Sequence, residues 1–159
     1  MQAALKYPVP PAITKKISDY IFAVDFDGTC VMHDYPEVGA DVPGAVETLK
    51  WLADQGGKII LWTMRSDKPE VPVLTDAVTW FKDRDIPLYG INTCPGQKGW
   101  TDSPKAYAHV YIDDAALGAP LISDPELCDR PFIYWAQVRL WIEKVCIFSY
   151  GVGMAKEVK

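Results

Sequence analysis

Asp25 and Asp27 stand one residue apart in the stretch FAVDFDGTCV, and a second acidic pair, Asp113 and Asp114, follows the apolar run HVYI. Alternation along a strand puts residues two apart on one side, and carboxylates held that close repel unless a cation or a shared proton compensates. Acids gathered at one edge call for a divalent cation, and a ligand set made only of oxygens selects Mg2+ over zinc. Gly28 lets the chain turn sharply beside Asp27 and admits a ligand where a Cβ would stand. Thr63, closing KIILWT, offers a hydroxyl. Lys105, in SPKAYA, offers an ammonium at the start of a predicted short helix, where the positive end of the helix adds to it. A carboxylate nucleophile, a second carboxylic acid for proton transfer, a metal ion and two donors are the parts of a phosphoryl-transfer site. Taken singly each part has a plain structural use: DG is a turn signal, and a lysine on a helix is usually solvated.

The elements that must position these residues follow from the apolar pattern. The Pro-rich YPVPP predicts an extended arm over residues 1–17, a single domain over 18–150 and a tail over 151–159. YIFAVD is a continuous apolar run of strand length, as in a parallel sheet covered on both faces. In DVPGAVETLKWLADQGG, Pro43 lies near a helix start, Gly56 and Gly57 follow its end, and Val46, Leu49 and Leu52 fall at helical spacing. KIILWT then completes a strand–helix–strand unit, for which a right-handed crossover is the rule. LTDAVTWFKDRD carries Leu74, Ala77, Val78 and Phe81 on one stripe, and IPLYGINT supplies a third strand. SPKAYA predicts a short helix with Ser103 as N-cap and Pro104 at its first position, ahead of the strand HVYID. FIYWAQVRLWIEKVCIF, with Trp135, Val138, Ile142 and Val145 in register, predicts a closing helix. This alternation predicts an α/β fold, a three-layer sandwich with a doubly wound parallel sheet, in which ligands sit beyond the carboxyl ends of the strands.

The chain has 159 residues and a formal net charge of -5, so it has no basic footprint for the backbone of a nucleic acid or for an anionic membrane. Any phosphate must be drawn to a local site. Cys30, Cys94, Cys128 and Cys146 form no CxxC pair and are not spaced with His33 and His109 as a zinc cluster, which predicts reduced thiols. The opening residues lack the pattern of a secretory leader and no apolar run is long enough to span a bilayer, so the expectation is a cytoplasmic protein without a membrane partner.

With DFDGT after the first strand, LWTMR after the second, the lysine of SPKAYA and the DD of VYIDDAALG, the sequence resembles the haloacid dehalogenase superfamily of aspartate-nucleophile phosphatases. The resemblance implies that Asp25 is the nucleophile and Asp27 the general acid and base. It implies that Thr63 and Lys105 bind the phosphoryl oxygens, with Lys98 the rival for the lysine role. Mg2+ would be held by Asp25, the backbone carbonyl of Asp27, and a carboxylate of Asp113 or Asp114. Gly28, Thr29, Thr63, Arg65 and Lys105 make up the expected substrate-binding set. One core helix with its loops fills each stretch between motifs, which leaves no room for a full cap domain. The loop CVMHDYPEVGADV, with His33 and Tyr35, then lies on the substrate side, and Trp62 and Trp100 flank the other motifs. The implied activity is hydrolysis of a phosphate monoester, with a phosphorylated small molecule, a nucleotide or a phosphorylated polynucleotide end as substrate. A non-catalytic binding or regulatory module of the same fold is the alternative. Trp135, Trp141 and Phe148 on the closing helix offer a partner surface, as for a second copy of the chain, while burial in the core accounts equally well for most of that stripe.

Overall fold

The structure, a computed structural model, describes residues 16–145. Residues 1–15 of the arm expected over 1–17, the residues from Cys146 to Phe148 that were expected to extend the last helix, and the tail expected from 151 lie outside the described residues. Strand β1 (Ile21–Val24) is buried along its whole length, as a central parallel strand must be. Helix α1 (Ala45–Asp54) returns the chain to β2 (Lys58–Leu61), and α2 (Val73–Asp83) returns it to β3 (Gly90–Ile91). The chain then crosses to β4 (Val110–Ile112), makes a two-stranded antiparallel ribbon from β5 (Leu121–Ile122) and β6 (Phe132–Ile133), and reaches α3 (Trp135–Val145). The main sheet is parallel, in the order β3-β2-β1-β4. Strands β1, β2 and β3 step in one direction and β4 lies on the other side of β1, so the winding reverses between β1 and β4. The predicted α/β three-layer, doubly wound architecture is the one observed.

The pleat divides the core. Phe22, Val24, Ile59 and Leu61 join one cluster with Leu49 and Leu52 of α1, Trp80 and Phe81 of α2, and Trp135 and Val138 of α3. Ile21 and Ile60 point the other way, onto Cys94, Tyr89 and Ala108. A fully buried Leu or Phe contributes about 1.5–3 kcal/mol each, so the first cluster, with three helices on it, anchors the sheet. Cys30, Cys94 and Cys128 are free thiols. Among the described residues no helix is long and apolar enough to cross a membrane.

Three expectations are corrected. SPKAYA is not a helix: its residues form a bend and irregular chain. The buried Gln97, in a 3-10 turn over Gln97–Gly99, donates from Nε2 to the carbonyls of Ser103 and Lys105, 2.8 Å each, and accepts from Tyr107 N at 2.7 Å. Those bonds take the backbone groups that a helix would have used. Phe132 and Ile133 belong to a strand, not to the closing helix, because Ile133 N donates to Gly28 O at 2.9 Å and the pair is laddered to β5. Ile17 is not part of an arm: it is 7% exposed, in a 3-10 turn over Ile17–Asp19, and packs into the main core.

Candidate functional site

Register builds the site. Val24 pairs with both Leu61 and Ile112, so β1, β2 and β4 end level and the next residues, Asp25, Trp62 and Asp113, emerge at one height where the winding reverses. Asp25 N donates to Ile112 O at 2.9 Å, the last rung between the two strands that carry acids. One carboxylate oxygen from each of Asp25, Asp113 and Asp114 lies within 4.8 Å of the others. Both members of the DD pair thus converge, because the chain turns immediately after β4 and neighbouring residues no longer point to opposite faces. Thr29 joins the two sides: its Oγ1 donates to Asp25 Oδ2 at 3.2 Å and accepts from Asp114 N at 3.3 Å. Cys30 Sγ donates to Asp25 O at 3.2 Å. Asp113 Oδ1 accepts from Ala115 N at 2.8 Å.

Burial pushes Asp25 up from 3.8 to about 7; the N–H of Phe26 opposes the shift, and the charges of Asp113 and Asp114 add to it. A divalent cation removes the cause, since it supplies the charge that burial and repulsion withhold. Oxygens on opposite sides of a Mg2+ ion are about 4.2 Å apart, inside the 4.8 Å that bounds the trio, so the carboxylates are near enough to share such an ion.

His33 Nε2 lies 3.1 Å from Asp114 Oδ2, with both side chains largely buried. Gly28 makes that contact feasible: it has φ +78°, and a Cβ on it would stand 2.2 Å from His33 Nε2 and 2.7 Å from Asp114 Oδ2. The Gly28 N–H is used by Val31 O at 2.7 Å and its carbonyl by Ile133 N. Gly28 and Thr29, expected to bind substrate, instead hold the acids in place. Outer hydrogen bonds to ligating groups typically carry 10- to 100-fold in metal affinity, so a Mg2+ ion held by the trio would bind about 10-fold more weakly in His33→Ala with the fold intact, as calorimetric titration would read.

Asp27 stands apart from the trio. Its Oδ1 and Oδ2 accept from Arg65 Nη2 at 2.6 Å and Nε at 2.8 Å, a bidentate pair. Arg65 is only 3% exposed, and its guanidinium also donates to Pro36 O at 3.0 Å and Glu37 O at 2.7 Å and packs between the rings of Phe26 and Tyr35. Arg65, expected in the substrate-binding set, is a clamp that fixes Asp27 and the turn after His33.

The open side of Asp25 is a hollow of about 350 Å³ lined by Asp25, Trp62, Thr63, Met64, Asn92, Pro104 and Asp113. Thr63 reaches it as expected. Asn92, which the sequence pattern did not single out, holds Thr63 there: Oδ1 accepts from Thr63 N at 2.8 Å and Nδ2 donates to Thr63 O at 2.9 Å. Asn92 sits at φ +51°, a conformation asparagine tolerates better than most, and Asn after a short strand is the signal that marks it. Lys105 does not line this hollow. It lines the neighbouring one, with Nζ 5.1 Å from the centre of the Tyr111 ring, because the helix expected to aim it is absent. Lys98 is exposed on the 3-10 turn.

A solved structure of a conserved protein coded by a locus of Bacteroides thetaiotaomicron is 33% identical to this chain, covers 79% of it and 90% of its own length, and superposes with a TM-score of 0.63. The chain belongs to that protein's family. Family membership establishes a shared α/β fold; the chemistry has to be read from the acids at the β1 and β4 ends. No family model and no curated protein matches the chain.

Proposed function

We propose that the protein is a Mg2+-dependent phosphatase that hydrolyses a phosphate monoester through a phosphorylated Asp25. The observation that carries this reading is the convergence of Asp25, Asp113 and Asp114 where the winding reverses, beside an open hollow. Asp25, Asp113, Asp114 and the carbonyl of Asp27 would hold the cation. When bound it neutralises the acids and withdraws charge from the phosphoryl oxygens.

Asp25 then supplies the nucleophilic oxygen: an Asp25 O–P bond forms as the ester P–O bond breaks, and the departing oxygen takes a proton. Water next attacks phosphorus, the Asp25 O–P bond breaks, inorganic phosphate leaves and the carboxylate is restored. Asp27 is the residue proposed to give and take these protons, as the resemblance implies. Both of its oxygens are taken by Arg65, so handing over a proton requires Asp27 to turn away from the guanidinium. Thr63, fixed by Asn92 at the mouth of the hollow, is the donor for the phosphoryl oxygens, and Lys105 reaches them only by leaving Tyr111.

The Asp27–Arg65 clamp favours a second reading, a module that binds a cation and a phosphate without turning it over. Hydrolysis of para-nitrophenyl phosphate separates the two. The phosphatase turns it over only with Mg2+ and stops on chelation, whereas cation binding by folded protein without turnover supports the module.

A further inference from the structure

We propose that the hollow beside the Asp25 site is a subsite for a nucleobase, so that the substrate of the phosphatase proposed above is a nucleoside monophosphate; this rests on that function. The hollow, about 300 Å³, is lined by Trp100, Ser103, Lys105, Tyr107 and Tyr111 among others. Trp100 is 66% exposed and Tyr107 is 40% exposed, so two aromatic rings meet in one hollow with surface free to contact a flat ligand. Their rings are already set against each other edge to face, with centres 5.4 Å apart, and Tyr107 is braced in turn by the His109 ring at 5.2 Å. Lys105 Nζ, over Tyr111, is the cation lining the same hollow, able to donate to a ring nitrogen or carbonyl.

The two hollows share one loop. Pro104 lines the Asp25 hollow, and its chain neighbours Ser103 and Lys105 line the aromatic one. Consecutive Cα atoms are about 3.8 Å apart, so the two hollows adjoin at this loop. That adjacency suits a base joined to phosphate through a sugar. An aryl phosphate, whose ring is bonded directly to the ester oxygen, would meet the Asp25 hollow alone and gain nothing from the aromatic one. Tyr35, an exposed ring in the loop after the first motif, faces Arg65 and does not line the Asp25 hollow.

The test compares adenosine 5'-monophosphate with ribose 5-phosphate, the same kind of ester without the base, in wild type, Trp100→Ala and Trp100→Phe. Base–aromatic stacking predicts that the ratio of kcat/KM for the two falls by roughly 10-fold or more in Trp100→Ala and returns in Trp100→Phe. A ratio that Trp100→Ala leaves untouched overturns the subsite while the phosphatase stands. Binding of the monophosphate is followed in parallel by calorimetry. If no ester is hydrolysed yet Trp100→Ala weakens that binding and Trp100→Phe restores it, the phosphatase falls and the base subsite stands.

Discussion

Asp25→Asn should lower turnover of a phosphate monoester by at least about 1,000-fold, as loss of a covalent nucleophile does, and should at the same time stabilise the cation-free protein above neutral pH. The second effect follows from the position of Asp25. Its folded value, about 7, lies above its ordinary 3.8 because burial and the charges of Asp113 and Asp114 oppose ionisation. A group raised on folding contributes its full stability below its unfolded value and loses that contribution as pH rises through the folded one. Between about pH 4 and pH 8 the cation-free wild type therefore loses about 2–4 kcal/mol at this residue, and the asparagine variant, which cannot ionise, does not. Thermal melts at pH 8 in chelator should show Asp25→Asn higher by roughly 4–16 °C. Adding Mg2+ should raise the wild type far more than the variant. Equal melts at pH 5 and pH 8 for the cation-free wild type would contradict the electrostatic origin of the effect.

Arg65→Ala should be the most destabilising substitution at the site. The side chain is 1% exposed and its partner Asp27 is 21% exposed. Breaking a buried pair from one side costs about 3–5 kcal/mol, and the partial exposure of Asp27 places this case near 3. Two carbonyls of the loop, those of Pro36 and Glu37, lose a donor as well. A fall in Tm of roughly 6–12 °C is expected for a chain of this size. Arg65→Lys should recover only part of it, because an ammonium cannot span Asp27 bidentately while serving two carbonyls. A melt of Arg65→Lys equal to wild type would mean that charge alone, and not the fork, holds the loop.

What was legible in the sequence was the part governed by local pattern. Continuous apolar runs marked the strands, and DFDGT and VYIDD placed three of the acids where the winding of an α/β sheet reverses. The Asp27–Arg65 and His33–Asp114 contacts were not legible: they join residues 38 and 81 positions apart, and no local period encodes such pairs. SPKAYA has sound helix-start chemistry in Ser103 and Pro104, yet one buried side chain, Gln97, outcompetes it for the backbone. The ribbon of β5 and β6 consists of two-residue strands, too short for any alternation to show. Arg65 looked like an anion ligand by type, and only its burial reveals a clamp.

The most direct test of the central claim is the covalent state of Asp25 during turnover. Protein quenched in acid while hydrolysing para-nitrophenyl phosphate with Mg2+ should carry a hydroxylamine-sensitive phosphoryl group on the peptide that contains Asp25, found by mass spectrometry and absent from Asp25→Asn. Turnover that continues in Asp25→Asn, with no phosphoryl group on that peptide in the wild type, would contradict it.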